Sequence, residues 1–378
     1  MKISIERREL LKGLQRVQGV VEKRNTMPIL SNILMEAEKE NSITLFATDM
    51  EISIHGTYSA EVIQPGKTTF SARKIYEIVK ELPDGPPVTF RQEENLWVQI
   101  ESGKSKFKVA ALSADDFPLA PSVKEEISLR VPAKMLSELF RKTIFSVGEN
   151  DSRYILNGLL INIQGQGEKQ VLRFVGTDGH RLAAIEREEV ERLFPKVKEE
   201  KDFQVVIPKK AIFEMKKLIE EGEEDVVLSL AKNQILFKKG DLTLYARLME
   251  GNYPNYTQVI PKGNDKSVLV KKWDLERAIR RVAILSKEKT HAVHFMFEGD
   301  KLLLNIQASE LGEAEDEISI VYKGDKIGTG FNARYILDIL SVIENEEVLI
   351  ELKDPLSPTL FKDPGDKKYL CVVMPMRV

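Results

Sequence analysis

Two Thr-Asp pairs, Thr48-Asp49 and Thr177-Asp178, hold the side chains best placed for chemistry in this sequence. Paired carboxylates can clamp divalent cations and activate water for phosphodiester cleavage, so Asp49 and Asp178 raise a metal-dependent nuclease. Both nevertheless follow a Thr at the end of a predicted strand, where a carboxylate serves an Asx turn by accepting backbone N–H groups. His180 stands just beyond Asp178, but no Ser or Cys nucleophile accompanies it in a workable triad order. His291 and His294 alternate along a predicted strand and do not form the metal-binding H-E-x-x-H. No phosphate loop G-x-x-x-x-G-K-S/T occurs, and Gly328 and Gly330 lack the later glycine of a dinucleotide fingerprint. Cys371 is the sole cysteine, which rules out an intrachain disulfide and a thiolate-rich metal centre. The expectation is a non-catalytic protein without metal or cofactor.

The 378 residues carry 56 Lys+Arg against 59 Asp+Glu, a formal net charge of −3 that would disfavour a polyanionic partner if the charges were evenly spread. They are sorted instead. Acids gather in EREEVE, EEGEED and EAEDE, whereas predicted helices carry Arg7, Lys12 and Arg16; Arg73, Lys74 and Lys80; Arg141 and Lys142; Lys209, Lys210 and Lys217; and Lys272, Arg277, Arg280 and Arg281. Arg277, Arg280 and Arg281 share one helical face opposite Leu275, Ile279 and Val282. The opening MKISIERREL places charge where a secretory leader needs an apolar core, and no window approaches about 18 apolar residues. A cytoplasmic protein with no membrane contact is expected.

These residues need elements to position them, and the elements repeat. A strand running into an amphipathic helix occurs at Ile3, Phe70, Leu129, Val206, Val268 and Gly330, with paired β segments between and after the junctions. The pattern predicts an α+β chain of three repeats, each two β-α-β-β-β units, with domains at 1–121, 128–250 and 255–378. A basic helical layer backed by sheets suits duplex DNA held through its phosphates, with Arg73, Lys210, Arg277 and Arg280 as contacts and no base readout. Repeats one and three carry surfaces complementary in charge and apolar character. Lys74, Lys104, Lys106 and Phe107 would face Ile284, Leu285, Glu313, Glu315 and Asp316 of a second copy.

The strings MPILSNILM, SRYILNG, GTDGHRLA, AILSKEK, GFNARYILDIL and VVMPMRV resemble the bacterial DNA polymerase III beta subunit family, the sliding clamps, along essentially the whole chain. The resemblance implies a head-to-tail homodimeric ring of clamp domains, with helices lining the hole and sheets outside. Such a ring encircles duplex DNA and tethers the replicative polymerase for processive synthesis. Twelve helices at about 10 Å each leave a bore of roughly 28 Å, room for duplex and water. Implied partners are duplex DNA, the polymerase III alpha subunit, the clamp loader delta subunit and other proteins bearing the clamp-binding motif. Implied DNA contacts are Arg24, Asn150, Arg153 and Tyr154; Ile155 stands where a second aromatic is expected. The implied partner groove comprises Leu156, Thr177, Gly179, His180, Arg181, Leu182, Pro254, Val259, Val372, Met374, Pro375, Met376 and Arg377. Gln258 and Pro358 depart from the family pattern, which expects arginine and serine there. Set against the ring-forming clamp are the nuclease at Asp49 or Asp178 and an open, non-encircling nucleic-acid scaffold.

Overall fold

The computed structural model describes residues 1–21, 27–38, 41–120, 123–165, 169–194, 203–286, 291–308 and 312–377. Each predicted strand-to-helix junction is present, leading into α1 (Arg7–Val17), α2 (Ala72–Glu81), α3 (Ala133–Arg141), α4 (Lys209–Ile219), α5 (Lys272–Val282) and α6 (Ala333–Val342). The order β-α-β-β-β occurs twice in every repeat; repeat one adds a short strand, Glu61–Gln64.

Periodicity explains both element types. In α1 the buried positions are Leu10, Gly13, Leu14 and Val17, one helical stripe. In the strand Ala292–Glu298, Val293, Phe295 and Phe297 are buried and their neighbours only partly so, the period of a pleated strand. Gly13 lets α1 approach its sheet: a Cβ there would lie 2.7 Å from Leu45 Cδ1 and 2.9 Å from the Tyr58 ring. Helix ends are tied by cations that the sequence had marked as surface charge. Arg7 Nε donates to Val79 O at 3.0 Å, at the C-terminus of α2, and Lys272 Nζ donates to Ile343 O at 2.7 Å, just past α6. Both satisfy carbonyls that a helix terminus leaves without intrahelical partners.

The chain forms two compact units, which divide the second repeat. The first holds the described residues of Met1–Lys134, Glu191–Val197 and Lys210–Leu248; the second holds those of Met135–Val190, Lys198–Lys209 and Met249–Val378. In the first, the strand Leu242–Arg247 pairs antiparallel with Ile52–Ser59, joining repeat two to repeat one. A separate five-stranded sheet ends at the exposed edge strand Ser105–Ala110. In the second, Arg181–Ile185 pairs antiparallel with Tyr369–Val373, bringing the last strand of repeat three against repeat two. A four-stranded sheet there ends at the edge strand Gly312–Ser319. No helix among the described residues is long and apolar enough to cross a membrane.

Candidate partner groove and nucleic-acid face

The Thr177–Arg181 turn shows how local chemistry shapes a site. Asp178 Oδ1 accepts from His180 N and Arg181 N, both at 2.9 Å, and Thr177 Oγ1 accepts from Gly179 N at 3.0 Å. Gly179 takes φ +82°, the left-handed backbone that glycine tolerates best. Asp49 does the same work in repeat one, accepting from Glu51 N at 2.9 Å and Ile52 N at 2.6 Å. Its second oxygen pairs with Lys210. Both carboxylates raised as nuclease ligands are therefore turn caps. Among the described residues no group of three or more His, Cys, Asp or Glu could hold a metal.

The turn leads into one wall of a cavity of about 230 Å³. Leu156, Thr177, Gly179, Arg181, Leu182, Pro254, Val259, Val372 and Met374, all named for the groove, line it, and Arg153, Asn255 and Tyr256 line it in addition. The register Leu182↔Val372 explains why residues so far apart in sequence meet. Beneath lies a buried apolar cluster including Leu160, Val175, Leu182 and Val372, against which Ile155, Tyr253 and Tyr256 pack. Burial raises the pKa of the Tyr253 phenol, whose hydroxyl donates to Val175 O at 3.3 Å.

His180, Pro375, Met376 and Arg377 lie outside the cavity lining. His180 contributes through its backbone, accepting from Met374 N at 2.8 Å, and Met376 N donates to Gly330 O at 2.8 Å, which fixes the chain end. The unforeseen Asn255 and Tyr256 belong to a short helical turn in which Asn255 Oδ1 accepts from Thr257 N at 3.3 Å. The available signal was the Asn in PNYT, a residue that initiates turns.

Charge organises the rim. The Arg181 guanidinium bonds Asp178 at 3.0 Å and Asp338 at 2.6 Å and lies over the Tyr335 and Phe145 rings, 4.4 and 5.5 Å from their centroids. Arg153 was placed with the DNA contacts; its guanidinium bonds Asp151 Oδ2 at 2.8 Å and Asp178 O at 2.9 Å and faces the groove. Hydrogen bonding from Arg153 lowers the pKa of the Asp151 carboxyl to about 2.

Of the remaining nucleic-acid candidates, Arg24 lies outside the described residues, Asn150 is exposed at φ +55°, and Tyr154 is 64% exposed. Ile155, where a second aromatic was expected, packs into the groove cluster instead. Arg73, Arg277 and Arg280 are exposed and Lys210 is half-buried, and most are neutralised: Arg73 by Glu77 at 2.7 Å, Arg280 by Glu276 at 2.8 Å, and Lys210 by Asp49. Arg277 stacks over Trp273 at 4.4 Å. Among the dimer candidates, Ile284 is 78% exposed, and Leu285 is half-buried. Lys104, Phe107, Glu313 and Glu315 are exposed, while Lys74 pairs with Glu77 and Lys106 with Glu101. Asp316 pairs with Arg281 of the same chain.

Carboxylates committed to turns, beside an apolar cavity walled by two repeats, give a three-repeat α+β chain with a site shaped for holding an apolar partner segment. Sequence models of the N-terminal, central and C-terminal domains of the DNA polymerase III beta subunit match residues 1–121, 130–255 and 257–377. The beta sliding clamps of Caulobacter vibrioides and Escherichia coli are 37% and 32% identical to this chain, each over the full length of both proteins. A crystal structure of the C. crescentus beta sliding clamp covers the whole of both chains at a TM-score of 0.93 and 37% identity. That of the Pseudomonas aeruginosa beta subunit does so at 0.93 and 34%. The chain belongs to the DNA polymerase III beta subunit family. It is a DNA sliding clamp for the polymerase, a non-catalytic processivity factor.

Proposed function

We propose that two copies of this chain, with domains at 1–121, 128–250 and 255–378, close head to tail around duplex DNA in the cytoplasm. The groove on repeats two and three then receives the clamp-binding motifs of the polymerase III alpha subunit, the loader delta subunit and other partners in turn. The observation that carries the partner assignment is the cavity where Val372 and Met374 meet Leu156, Leu182 and Pro254. Met374 is polarizable and adaptable, and Pro254 stiffens the opposite wall, so different apolar anchors fit at low entropic cost.

Closure would use the two edge strands. Ser105–Ala110 carries Lys106 and Phe107, next to Lys104, and Gly312–Ser319 carries Glu313 and Glu315; paired across protomers they would match charge and complete both sheets. DNA contact would fall to Arg24, Asn150, Tyr154 and the helical cations Arg73, Lys210, Arg277 and Arg280. The existing ion pairs of Arg73, Lys210 and Arg280 favour weak, sliding contacts over fixed ones. The test is calorimetry with a peptide bearing Gln followed by Leu and Phe anchors. Deleting Met374 to Val378 should abolish binding while sedimentation still reports a dimer; unchanged affinity in the truncated protein would sink the groove assignment.

A further inference from the structure

The turn that walls the groove exists twice, and its first copy has no role in the reading above. In repeat one, Thr48 Oγ1 accepts from Met50 N at 3.0 Å and donates to Ile52 O at 3.1 Å. In repeat two, Thr177 Oγ1 accepts from Gly179 N at 3.0 Å and donates to Arg181 O at 2.6 Å. The Asp bonds described above match in the same way. The correspondence extends outward: Arg247 N donates to Glu51 O as Met374 N does to His180 O, both at 2.8 Å. The helical turn Pro28–Ser31 precedes its strand as Tyr154–Asn157 does, with Leu30 N on Met27 O at 3.1 Å and Leu156 N on Arg153 O at 2.9 Å. Phe117, Pro118 and Leu119 run parallel in sequence to Tyr253, Pro254 and Asn255.

This register puts Met27, Met50 and Leu119 at the positions of Arg153, Gly179 and Asn255, three residues that line the groove. All three are apolar and exposed, at 49%, 60% and 93%, and each stands within four residues in sequence of a member of the buried cluster Ile29, Leu30, Phe46 and Phe117. Met50 also holds φ +76°. A bulky side chain is disfavoured in that region, and the other repeat meets the same demand with glycine. Keeping an exposed methionine on a strained backbone points to contact with something outside the chain.

The surrounding charge identifies the occupant. Where the groove has Arg153, His180 and Arg181, repeat one has Met27, Glu51 and Ile52, and Asp115 and Asp116 are exposed just before Phe117. Lys67 pairs with Asp115 at 2.8 Å, and Arg247 stands at the position of Met374. Two lining cations, Arg153 and Arg181, are thus replaced by Met27 and Ile52, and against the single added cation Arg247 stand the exposed carboxylates of Glu51 and Asp116 and the Lys67-paired Asp115. We propose that Met27, Met50 and Leu119 form a second docking surface, in repeat one, for an apolar segment of a partner protein flanked by lysine or arginine. The template for this surface is the groove reading, but its occupant differs in charge.

The test uses the full-length protein labelled with ¹³C at the methionine methyl groups, so that Met27 and Met50 report on repeat one while Met374 and Met376 report on the groove. The probe is an acetylated peptide of about ten residues with Leu and Phe anchors between paired lysines, compared with the same peptide carrying glutamates. The lysine peptide should shift Met27 and Met50 saturably, with affinity about tenfold above that of the glutamate peptide. Leu119→Ser and Met50→Gly should each weaken it about tenfold with Met374 unaffected. Met50→Gly installs the residue of repeat two at a positive φ and so keeps the fold. Shifts confined to Met374 and Met376 would overturn the second surface and leave the groove reading standing. Equal response to both peptides would overturn the assigned chemistry, and concentration-dependent shifts without peptide would make a second copy the occupant and overturn it too. The Gln-Leu-Phe peptide run in parallel tests the groove alone, through Met374.

Discussion

Lys142 lies just past the end of α3 with 1% exposure, its ammonium 3.0 Å from Asp366 and 3.1 Å from Glu138 and 5.1 Å from the Tyr369 ring centroid. Arg187 bonds the same two carboxylates, each at 2.5 Å. Burial alone would raise Asp366 and Glu138, but hydrogen bonds from Arg187 and Lys142 outweigh it and hold both below the ordinary carboxylate range. A carboxylate depressed in the folded state contributes stability above its unfolded pKa of about 4 and loses it as pH falls through the folded value. The thermal midpoint should therefore drop as pH falls below about 4, less steeply in Asp366→Asn than in the parent, as scanning fluorimetry would show. Lys142→Met leaves two half-buried carboxylates short of a partner and should cost about 3 kcal/mol in denaturant unfolding; a loss below about 1 kcal/mol would mean that Arg187 alone satisfies them. The sequence marked Lys142 only as one basic helical residue, because the burial of a cation depends on what packs over it. Likewise the sequence marked Arg153 as a DNA contact, and only the structure shows its bonds to Asp151 and the Asp178 carbonyl at the groove wall. Met50→Gly should stabilise the protein by about 0.5–1 kcal/mol, the relief of a left-handed side chain less the added chain entropy.

At the scale of elements, the six helices were legible because each buries one stripe at helical spacing. Their cationic faces were also legible, but their neutralisation was only partly so. Arg280 with Glu276 is an i, i+4 pair visible in sequence, whereas Lys210 with Asp49 links a helix to a distant turn. Arg277, held over Trp273 and forming no ion pair among the described residues, should contribute most to DNA binding. Arg277→Ala should lower the log–log salt slope by about 0.9, and Arg280→Ala by less, because Glu276 already competes for that guanidinium. Fluorescence anisotropy on duplex DNA between low and moderate salt measures both; equal slopes would show that the ion pairs open freely on DNA.

For the whole molecule, the proposed ring makes retention a matter of topology. Protein loaded onto nicked circular DNA should remain bound and should be lost when the circle is linearised; equal retention on both forms would favour an open scaffold. Replacing the exposed Ile284 together with Leu285 by glutamate should yield monomers in sedimentation velocity, since two charges would then have to be desolvated in the contact. An unchanged dimer would move the interface elsewhere.

The threefold order, the strand-to-helix junctions and the turn-capping role of Asp49 and Asp178 were determined by the sequence alone. Side-chain alternation, helical stripes and Asx turns are set by residues within a few positions of one another. Tertiary structure decided the rest. Val372 and Met374 wall a cavity with Leu156 and Pro254 only because an antiparallel register places Val372 opposite Leu182. The second repeat contributes strands to two compact units, a division that no local pattern announces. Register, burial and the pairing of Lys210 with Asp49 depend on free energies of contact between segments far apart in the chain, and those exist only once the chain has closed on itself.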